Sequence, residues 1–511
     1  MILNISNMGL LPYLSATVTI FLLYYIIPYF TSYSKLRGIS GPFFARFSNL
    51  WLLIQARRGR RFLSVHNAHK KYGKFVRIQP NQVSIADEAA ISQVYGHGNG
   101  FLKSEFYGAF KTLEDSIFTT RDRAIHSRKR KVVAHTYSTA SVSKFEKYIT
   151  DDIQTFVRQL DKLSLEFNGD YAEINCMHWF NLLAFDIIGN LAFGKSFDML
   201  ETGKDIAEVR ITPNDPITYV PAVEVLNKRS DVSATLGCLP SLMPFAKYFP
   251  DPFYNRGLDA VEKLTGMAIA RVAHRFNGHE DSNRVDILAR LMNAKDENGD
   301  VLSRDEVTTE ATVQIIAGSD TISNTCTAIL YWILRTPHVL PKLQAELDAA
   351  IPDNVVIPPF EEIKDLPYLE NVIKETLRIH STSSIGLPRV VPPGPGVTIC
   401  SRHFPGGTVI SVPSFTIHHS PEIWGEDVEE FRPERWECLT PRQKLGFNVF
   451  SYGPRGCIGR NLAMMEIKLI FATVIHRWDF ELYTEKLETK EGFIRKPVKC
   501  LVGFKRRAKY E

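Results

Sequence analysis

The N-terminal part of the chain is defined by the absence of charge. No side chain in residues 1–34 is charged, and a predominantly apolar stretch runs from Leu10 to Phe30. As an α-helix, this stretch is long enough to cross a hydrocarbon core of about 30 Å. The first charged residues, Lys35 and Arg37, are basic, which the positive-inside rule places in the cytosol. The pattern predicts one membrane-spanning helix at about residues 10–30; the alternative is an apolar helix buried in a core.

The segment lacks the basic n-region and the shorter apolar stretch of a cleaved signal peptide. Asn4 begins a glycosylation sequon on the expected lumenal side. The rest of the chain has no Gly/Ser-rich linker, low-complexity tract or fixed-period repeat. We therefore expect a membrane anchor over 1–34, a linker and membrane-proximal segment over 35–60, and one large domain over 61–511.

Three later segments have a helical pattern. The first opens at Ser303, whose spacing to Glu306 has the form of a capping box, and continues to about Thr336, where a proline follows. The second is amphipathic and covers 365–380. The third is strongly apolar and begins at Met464. These helices place the motifs described below.

The amino-acid composition excludes only a few classes of function. The 511 residues are 44% hydrophobic and 23% charged, which is ordinary for a globular protein. The net charge of +5 is mild and gives no argument for nucleic acid as a partner. The seven cysteines are odd in number and include no C-x-x-C pair, which favours free thiols in a reducing compartment over disulfides or a structural zinc site.

Positive charge is concentrated in one run, RDRAIHSRKRK, from Arg121 to Lys131. An isolated run of this kind is most simply the solvated face of a helix.

One cysteine has an unusual neighbourhood. Cys457 lies in the segment FSYGPRGCIGRNLA, which starts at Phe450 and leads into the apolar helix. Free N–H groups and the positive dipole end of a helix N-terminus lower the pKa of a thiol. Gly453 and Gly459 allow backbone to approach a flat ligand closely, and Arg455 is placed to pair with a carboxylate of that ligand.

This segment is identified as the haem-binding signature of the cytochromes P450, F-x-x-G-x-R-x-C-x-G, matched at all five fixed positions. The resemblance implies a mainly α fold with small β-sheets, preceded by one transmembrane helix, and haem b as the cofactor. It makes the Cys457 thiolate the axial ligand of the haem iron, which favours O–O cleavage. Phe450, Arg455 and Gly459 would lie around the haem. The domain over 61–511 would then be the catalytic domain of a monooxygenase.

The motif AGSDT lies at 317–321, in the middle of the first helical segment. Gly318 costs helix stability and Thr321 can bend a helix by bonding to the preceding turn, which together would make room for a diatomic ligand. Alone, a glycine in a core helix explains the motif equally well. Beside the cysteine loop it resembles the P450 distal helix, which implies that Thr321 hydrogen-bonds the activated oxygen and that Asp320 relays protons. Ile322 departs from the second Thr that many P450s carry.

The amphipathic segment contains Glu375 and Arg378, whose i,i+3 spacing places both charges on one face. An exposed ion pair is the simple interpretation. The P450 resemblance instead implies a buried network with Arg435, from the later stretch FRPERW, that holds the cysteine loop in place. That role is structural.

The family also provides cations for the haem propionates from three segments. In this sequence the matching residues are His126, Arg130, Arg389 and Arg455. The first two are one register among several that the basic run allows. Exposed members of the run, such as Arg128, Lys129 and Lys131, would then receive the acidic face of NADPH–cytochrome P450 reductase.

The resemblance is to P450s of the microsomal fungal type and looks closest to the benzoate para-hydroxylases. It is carried by NAHKKYGKFVRI from Asn67, VYGHGNGFLKSEFY from Val94 and YVPAVEVLNKRSDVSATLGCLP from Tyr219. The implied reaction inserts one oxygen of O2 into the para C–H of benzoate, with electrons from NADPH, to give 4-hydroxybenzoate. The implied location is the endoplasmic reticulum membrane, with a single span and a cytosolic catalytic domain.

Two alternatives remain open at this point. The same machinery serves a P450 that acts on another small aromatic substrate or a fungal secondary-metabolite intermediate. A non-catalytic haem sensor or electron carrier is more remote, because it would not need the proton relay of Asp320 and Thr321. Benzoate would also need a partner for its buried carboxylate. The pocket segments implied by the family, Phe101–Phe110, Ala311–Thr321 and Ser383–Leu387, do not identify that partner.

Overall fold

The computed structural model describes residues 10–167, 170–276, 286–295, 299 and 301–510. The sequon at Asn4 lies outside these residues. Helices dominate the described chain and the sheets are small, so the predicted fold class is confirmed. The helices are α1 Leu10–Phe30, α2 Leu50–Arg57, α3 Arg61–Tyr72, α4 Ala89–Tyr95, α5 Arg123–Ala134, α6 Thr139–Val142, α7 Glu146–Glu166, α8 Cys176–Phe193, α9 Met199–Thr202, α10 Ala222–Leu236, α11 Pro252–Phe276, α12 Ile287–Met292, α13 Arg304–Arg335, α14 Val339–Ala350, α15 Phe360–Ile363, α16 Pro367–His380, α17 Ser414–His418, α18 Pro421–Trp424, α19 Pro441–Gly446 and α20 Arg460–Arg477.

The strands form one sheet of five and several smaller ones. They are β1 Phe75–Gln79, β2 Gln82–Ile85, β3 Leu102–Lys103, β4 Ala172–Asn175, β5 Ala207–Val209, β6 Thr218–Val220, β7 Arg389–Val390, β8 Val397–Ile399, β9 Arg402–Phe404, β10 Val409–Ser411, β11 Trp478–Leu482, β12 Thr489–Glu491, β13 Arg495–Pro497 and β14 Leu501–Arg506. The five-stranded sheet has the order β1-β2-β10-β7-β3, with β10 parallel to β2. Its last two strands place Lys103 opposite Arg389.

Helix α1 stands outside the folded body. Its Tyr13–Phe30 window has a mean hydropathy of 1.5 and none of it is buried. Helix α8 has a window of similar length and a hydropathy of 1.2, but 83% of it is buried, so α8 is a core helix. The last turn of α1 touches the body where the Tyr29 ring lies 4.9 Å from that of Phe47. The alternative of a buried core helix therefore does not describe α1, which remains a candidate membrane span.

The segment over 35–60 is packed on the body. Leu36 and Ile39 are buried in a cluster with Val83 and Ile85 of β2. Further along, Leu52 of α2 is buried against the first strand. This segment is therefore held against the five-stranded sheet.

The central helix α13 begins and ends as the sequence predicts. The Ser303 side chain accepts a hydrogen bond from the Glu306 N–H at 3.0 Å, and the helix ends before Thr336. The capping box is only half formed, because the Glu306 carboxylate instead binds Arg128 and Lys129 of α5. A cap residue thus also ties α5 to the start of α13.

The core lies where α13 packs along α8. At Gly318, an added Cβ would lie 2.5 Å from Cδ1 of Ile188 on α8. This glycine therefore permits the close approach of two core helices. The expectation that Gly318 makes room for a diatomic ligand is wrong, because the space beside it is occupied by Ile188.

Candidate functional site

The cysteine loop is held in a fixed shape before α20. A short 3-10 turn at Gly453–Arg455 precedes Cys457, whose N–H donates to the Phe450 carbonyl at 2.7 Å. Gly459 is the N-cap residue of α20. Gly453 has φ +69°, and an added Cβ would lie 2.0 Å from a backbone oxygen of α4. Backbone packing therefore requires glycine at this turn.

The environment of Cys457 shows two properties that at first disagree. Its side chain is exposed, yet burial raises the pKa of its thiol, against the effects of the Gly459 N–H and of Arg130 and Arg460. Both properties are explained if the sulfur faces an internal void, because a void admits a probe while protein still surrounds the group. The exposed surface of Cys457 means that a ligand in the void can reach the sulfur. The raised pKa means that protein atoms surround the thiol on its other sides.

A cavity of about 450 Å³ lies beside this loop, between α4, α5 and β7. It is strongly cationic, and none of its lining residues is an Asp or Glu. The basic residues that line it are His97, Arg123, His126, Arg130, Lys131, Arg389 and Arg455. All four residues expected at the haem propionates are therefore brought together around one space.

The guanidinium groups of this cavity are held by neutral oxygens. Arg130 donates to the Gly456 carbonyl at 2.8 Å, and Arg389 to the Tyr107 hydroxyl at 2.7 Å. Arg455 donates to the Thr120 carbonyl at 2.9 Å. These contacts fix the positions of the cations without neutralising their charge.

The uncompensated charge appears in the pKa values. Burial, together with Arg389, lowers the pKa of Arg455 to about 10. Burial, followed by the nearby charge of Arg455, lowers the pKa of His126 to about 3. A ligand carrying carboxylates would relieve this repulsion. The cavity therefore fits a group with anionic substituents, as haem has in its two propionates.

Lys103 also belongs to this cluster, although no motif in the sequence points to it. The side chain is buried, and its Nζ donates to the Phe118 carbonyl and lies 4.4 Å from the ring centroids of Tyr107 and Phe118. Burial, together with the charges of Arg389 and Arg455, lowers the pKa of Lys103 well below its usual value. Its neighbours in the chain, Leu102 and Ser104, give no sequence signal that this lysine is buried.

One face of α13 opens toward a space in an otherwise buried helix. Val313, Ala317 and Thr321 recur at a spacing of four residues and therefore share that face. Ala317 is exposed, and Val313 and Thr321 are half-buried. The Thr321 hydroxyl donates to the Ala317 carbonyl at 2.7 Å. This accessible stripe, the accessible sulfur of Cys457 and the cationic cavity are the features expected around a haem.

Asp320 does not share the open face. Its carboxylate is buried and binds Lys496 of β13, whose Nζ lies 2.9 Å from Oδ1 and 2.8 Å from Oδ2. Asn324 donates to the same Oδ1 at 3.3 Å. The adjacent alcohol and acid of the motif thus point to different surroundings. Lys496 was not foreseen, because nothing in the sequence links the last hairpin to the middle of α13.

The ion pair of Glu375 and Arg378 is fully buried, so the exposed interpretation is wrong. Arg435 Nε lies 2.8 Å from Oε1 of Glu375, and Trp436 donates to Oε2 at 3.0 Å. Burial would raise the pKa of Glu375, but the hydrogen bonds and charges of Arg378 and Arg435 leave it lowered. The carboxylate is therefore fully satisfied in the interior.

This network reaches the cysteine loop through a histidine. Arg378 donates to the His418 carbonyl at 2.9 Å, and the His418 ring accepts the Asn448 N–H at 3.3 Å. Asn448 lies two residues before Phe450, where the loop begins. Glu375, Arg378 and the loop thus form one connected set of hydrogen bonds.

The basic run is only partly exposed. Lys129 is buried, with its Nζ 2.5 Å from Glu306 and 3.1 Å from Glu310. Arg128 is half-buried and lies 2.9 Å from Glu306. The expectation that Lys129 is exposed to a partner is therefore wrong, because this face of α5 packs on α13. Lys131 remains exposed, as expected.

A cluster of aromatic side chains forms where several separate segments of the chain meet. The cluster consists of Phe106, Tyr107, Phe110, Phe118 and Phe493. Ile385 packs against it, so two of the expected pocket segments, Phe101–Phe110 and Ser383–Leu387, meet here. The contributions of Phe118 and Phe493 lay outside those segments. The five rings form an apolar region suited to a flat ligand.

Comparison with known proteins gives consistent similarities. The family model for cytochrome P450 matches residues 42–504. A benzoate 4-monooxygenase, bphA, of Aspergillus niger is 55% identical over 96% of both chains. A cytochrome P450 monooxygenase of Aspergillus terreus is 30% identical over 94% of this chain and 96% of its own. The cytochrome P450 monooxygenase cicH of Emericella nidulans is 31% identical over 88% of this chain and 89% of its own.

Proposed function

The chain belongs to the cytochrome P450 family of haem-iron monooxygenases, and on that basis we propose that it hydroxylates benzoate at the para position to give 4-hydroxybenzoate. The observation that carries this proposal is the 55% identity with a benzoate 4-monooxygenase over nearly the whole of both chains. The aromatic cluster supports it, because it offers flat apolar walls for one small ring. A purely electron-carrying or sensing haem protein does not fit relatives that are monooxygenases.

The proposed cofactor is haem b, held between the cysteine loop and α13. Cys457 would bind its iron through the thiolate, and His126, Arg130, Arg389 and Arg455 would hold its propionates. Phe450 and Gly459 would shape the loop around the sulfur. When bound, the haem iron would supply the activation of O2, so that one oxygen atom enters a C–H bond and the other leaves as water with two electrons from NADPH and two protons.

Thr321 and Asp320 of α13 would deliver protons to the reaction centre. The Thr321 hydroxyl lies on the open face and would donate a hydrogen bond into that space when it leaves the Ala317 carbonyl. Asp320 is held by Lys496, so it would carry a proton inward only when this ion pair opens. In this proposal Thr321 positions a proton at the reaction centre and Asp320 replenishes it from outside.

Electrons would come from NADPH through NADPH–cytochrome P450 reductase. Arg123 and Lys131 are exposed on α5 and line the mouth of the cationic cavity, so they would receive the acidic face of the reductase. Arg128 and Lys129 would not, because Glu306 already binds them. The exposed charges are therefore fewer than the sequence suggests.

The proposed location is the membrane of the endoplasmic reticulum. The anchor would be 1–34, the membrane-proximal segment 35–60 and the catalytic domain 61–511. Helix α1 would span the bilayer once, with the basic residues after it in the cytosol. The packing of 35–60 against the sheet would hold the catalytic domain close to the bilayer surface.

The proposal is tested with the full-length enzyme in a bilayer, supplied with haem, reductase, NADPH and ¹⁸O2. The expected result is 4-hydroxybenzoate carrying one ¹⁸O atom, without the 2- or 3-hydroxy isomers. Benzoate should also displace the haem Soret band. Turnover of other small aromatics without any product or spectral shift with benzoate would favour the alternative of a P450 with a different substrate.

A further inference from the structure

Arg229 of α10 is a buried arginine with few hydrogen bonds. Its residue is 5% exposed, and its one hydrogen bond among the described residues is from Nη2 to the Phe110 carbonyl, at 3.0 Å. Its Nε is buried without a hydrogen-bond partner among those residues. Arginine donates five N–H groups, so most of its capacity is unused. A buried cation left in this state is costly unless an anion joins it.

No Asp or Glu in the described part of the chain forms an ion pair with Arg229. The acid that acts on it, Asp320, is already bound through both oxygens by Lys496. Burial lowers the pKa of Arg229 to about 10, with Asp320 opposing the shift. By contrast, buried Arg61 lies 3.2 Å from Glu491. The region around Arg229 therefore has two cations for one anion.

The guanidinium borders the aromatic cluster. Its carbon lies 5.2 Å from the ring centroid of Phe110, which lies 4.9 Å from that of Phe493. The next residue on α10, Ser230, accepts the Phe493 N–H at 3.1 Å. On the other side of the cluster, Tyr107 binds Arg389 of the cationic cavity. The cluster therefore lies between Arg229 and the expected haem site.

We infer that Arg229 binds the carboxylate of the substrate, which is a monocyclic aromatic acid lying against the rings of the cluster. The inference rests on the proposed function and supplies the partner that a buried benzoate requires. With the carboxylate held at Arg229, the para carbon is the ring atom farthest from the anchor. The anchor would thereby direct the para C–H toward the haem and determine which isomer forms.

The test compares an anion with its neutral isostere. Dissociation constants for benzoate and for benzamide are measured from the Soret shift of the haem-loaded, full-length enzyme, in the native protein and in Arg229→Gln. The variant should bind benzoate at least about 30-fold more weakly, because one partner of a buried charge pair is removed. Benzamide binding should change little. The control is Lys228→Gln, on the same helix, whose side chain is 42% exposed and paired with Glu224.

Each outcome has a separate meaning. If native enzyme binds and hydroxylates benzoate but Arg229→Gln keeps the same preference for the anion, the inference is wrong and the proposed function stands. If the native enzyme neither binds nor hydroxylates benzoate, the proposed function is wrong, and the inference that rests on it is wrong as well. Should Arg229→Gln fail to bind haem, a crystal structure of the native benzoate complex decides. A carboxylate within about 3.2 Å of the guanidinium supports the inference, and one placed elsewhere overturns it.

Discussion

The Nζ of Lys496 lies within 3 Å of both carboxylate oxygens of Asp320, at 2.9 and 2.8 Å, and both side chains are more than nine-tenths buried. This pair joins the hairpin of β12 and β13 to the middle of α13. Asp320 precedes Thr321 directly, so the ion pair also sets the charge next to the open face of the helix. The last hairpin thereby acts on the residues proposed to deliver protons.

Replacing Lys496 with Met should destabilise the protein by about 3–5 kcal/mol, because a buried carboxylate loses its counter-ion. The measurement is the free energy of unfolding in urea, followed by near-UV circular dichroism. Asn324 would still donate to the carboxylate but carries no charge.

The double variant Lys496→Met/Asp320→Asn provides the control for this prediction. Removing both charges should restore most of the lost stability, since neither partner of this pair is left as an unpaired ion. Additive losses in the two single variants, without recovery in the double variant, would show that the pair contributes through packing alone.

Cys457→Ser should abolish the absorbance near 450 nm of the reduced, CO-bound enzyme, because the proposed thiolate ligand is removed. Cys438→Ser is the matched control, since Cys438 is also an exposed free cysteine but lies outside the loop. That control should keep the band. A 450 nm band that persists in Cys457→Ser would contradict the ligand assignment.

Glu375→Gln should destabilise the fold by about 3–5 kcal/mol and reduce haem retention. The change leaves the buried guanidinium of Arg378 without its carboxylate, and leaves Arg435 only the longer contact with Asp427 at 3.4 Å. The measurements are urea unfolding and haem content by the pyridine haemochromogen assay.

The chain offers a matched control with the same i,i+3 spacing. Glu361 and Lys364 form an ion pair on the surface. Glu361→Gln should therefore leave stability and haem content unchanged. Equal losses in the two variants would mean that burial does not distinguish these pairs.

The sequence predicts features that rest on local pattern or on a fixed motif. The ends of α13 follow from the cap at Ser303 and from the proline after Thr336, and the structure has them there. The loop around Cys457 meets its helix at the expected place because glycine, turn and helix are consecutive in the chain. The residues that determine each of these features lie within a few positions of it in the chain.

Features that depend on distant parts of the chain were not predictable. Lys496 meets Asp320 across 176 positions, and Arg229 approaches Phe110 across 119. The periodicity of a sequence does not show which distant residues come into contact, because such contacts depend on how whole helices and strands pack together. The error over Gly318 has the same origin, since only the position of α8 shows that Ile188 occupies the space beside it. Lys129 looked exposed because a dense basic run does not show which of its members turn inward.

Glu466 of α20 makes stability depend on pH. Burial, with a smaller contribution from the charge of Asp152, raises the pKa of Glu466 to about 8, from 4.5 when unfolded. Between these values the folded chain holds a proton that the unfolded chain has released, so stability falls as pH rises, by up to about 1.4 kcal/mol per pH unit.

Glu466→Gln removes this contribution and should be more stable than the native protein at pH 8, but by a smaller margin at pH 5. Urea unfolding at several pH values measures the difference, with exposed Glu485→Gln as the control. A difference that stays constant from pH 5 to pH 8 would mean that Glu466 is already ionised in the folded protein.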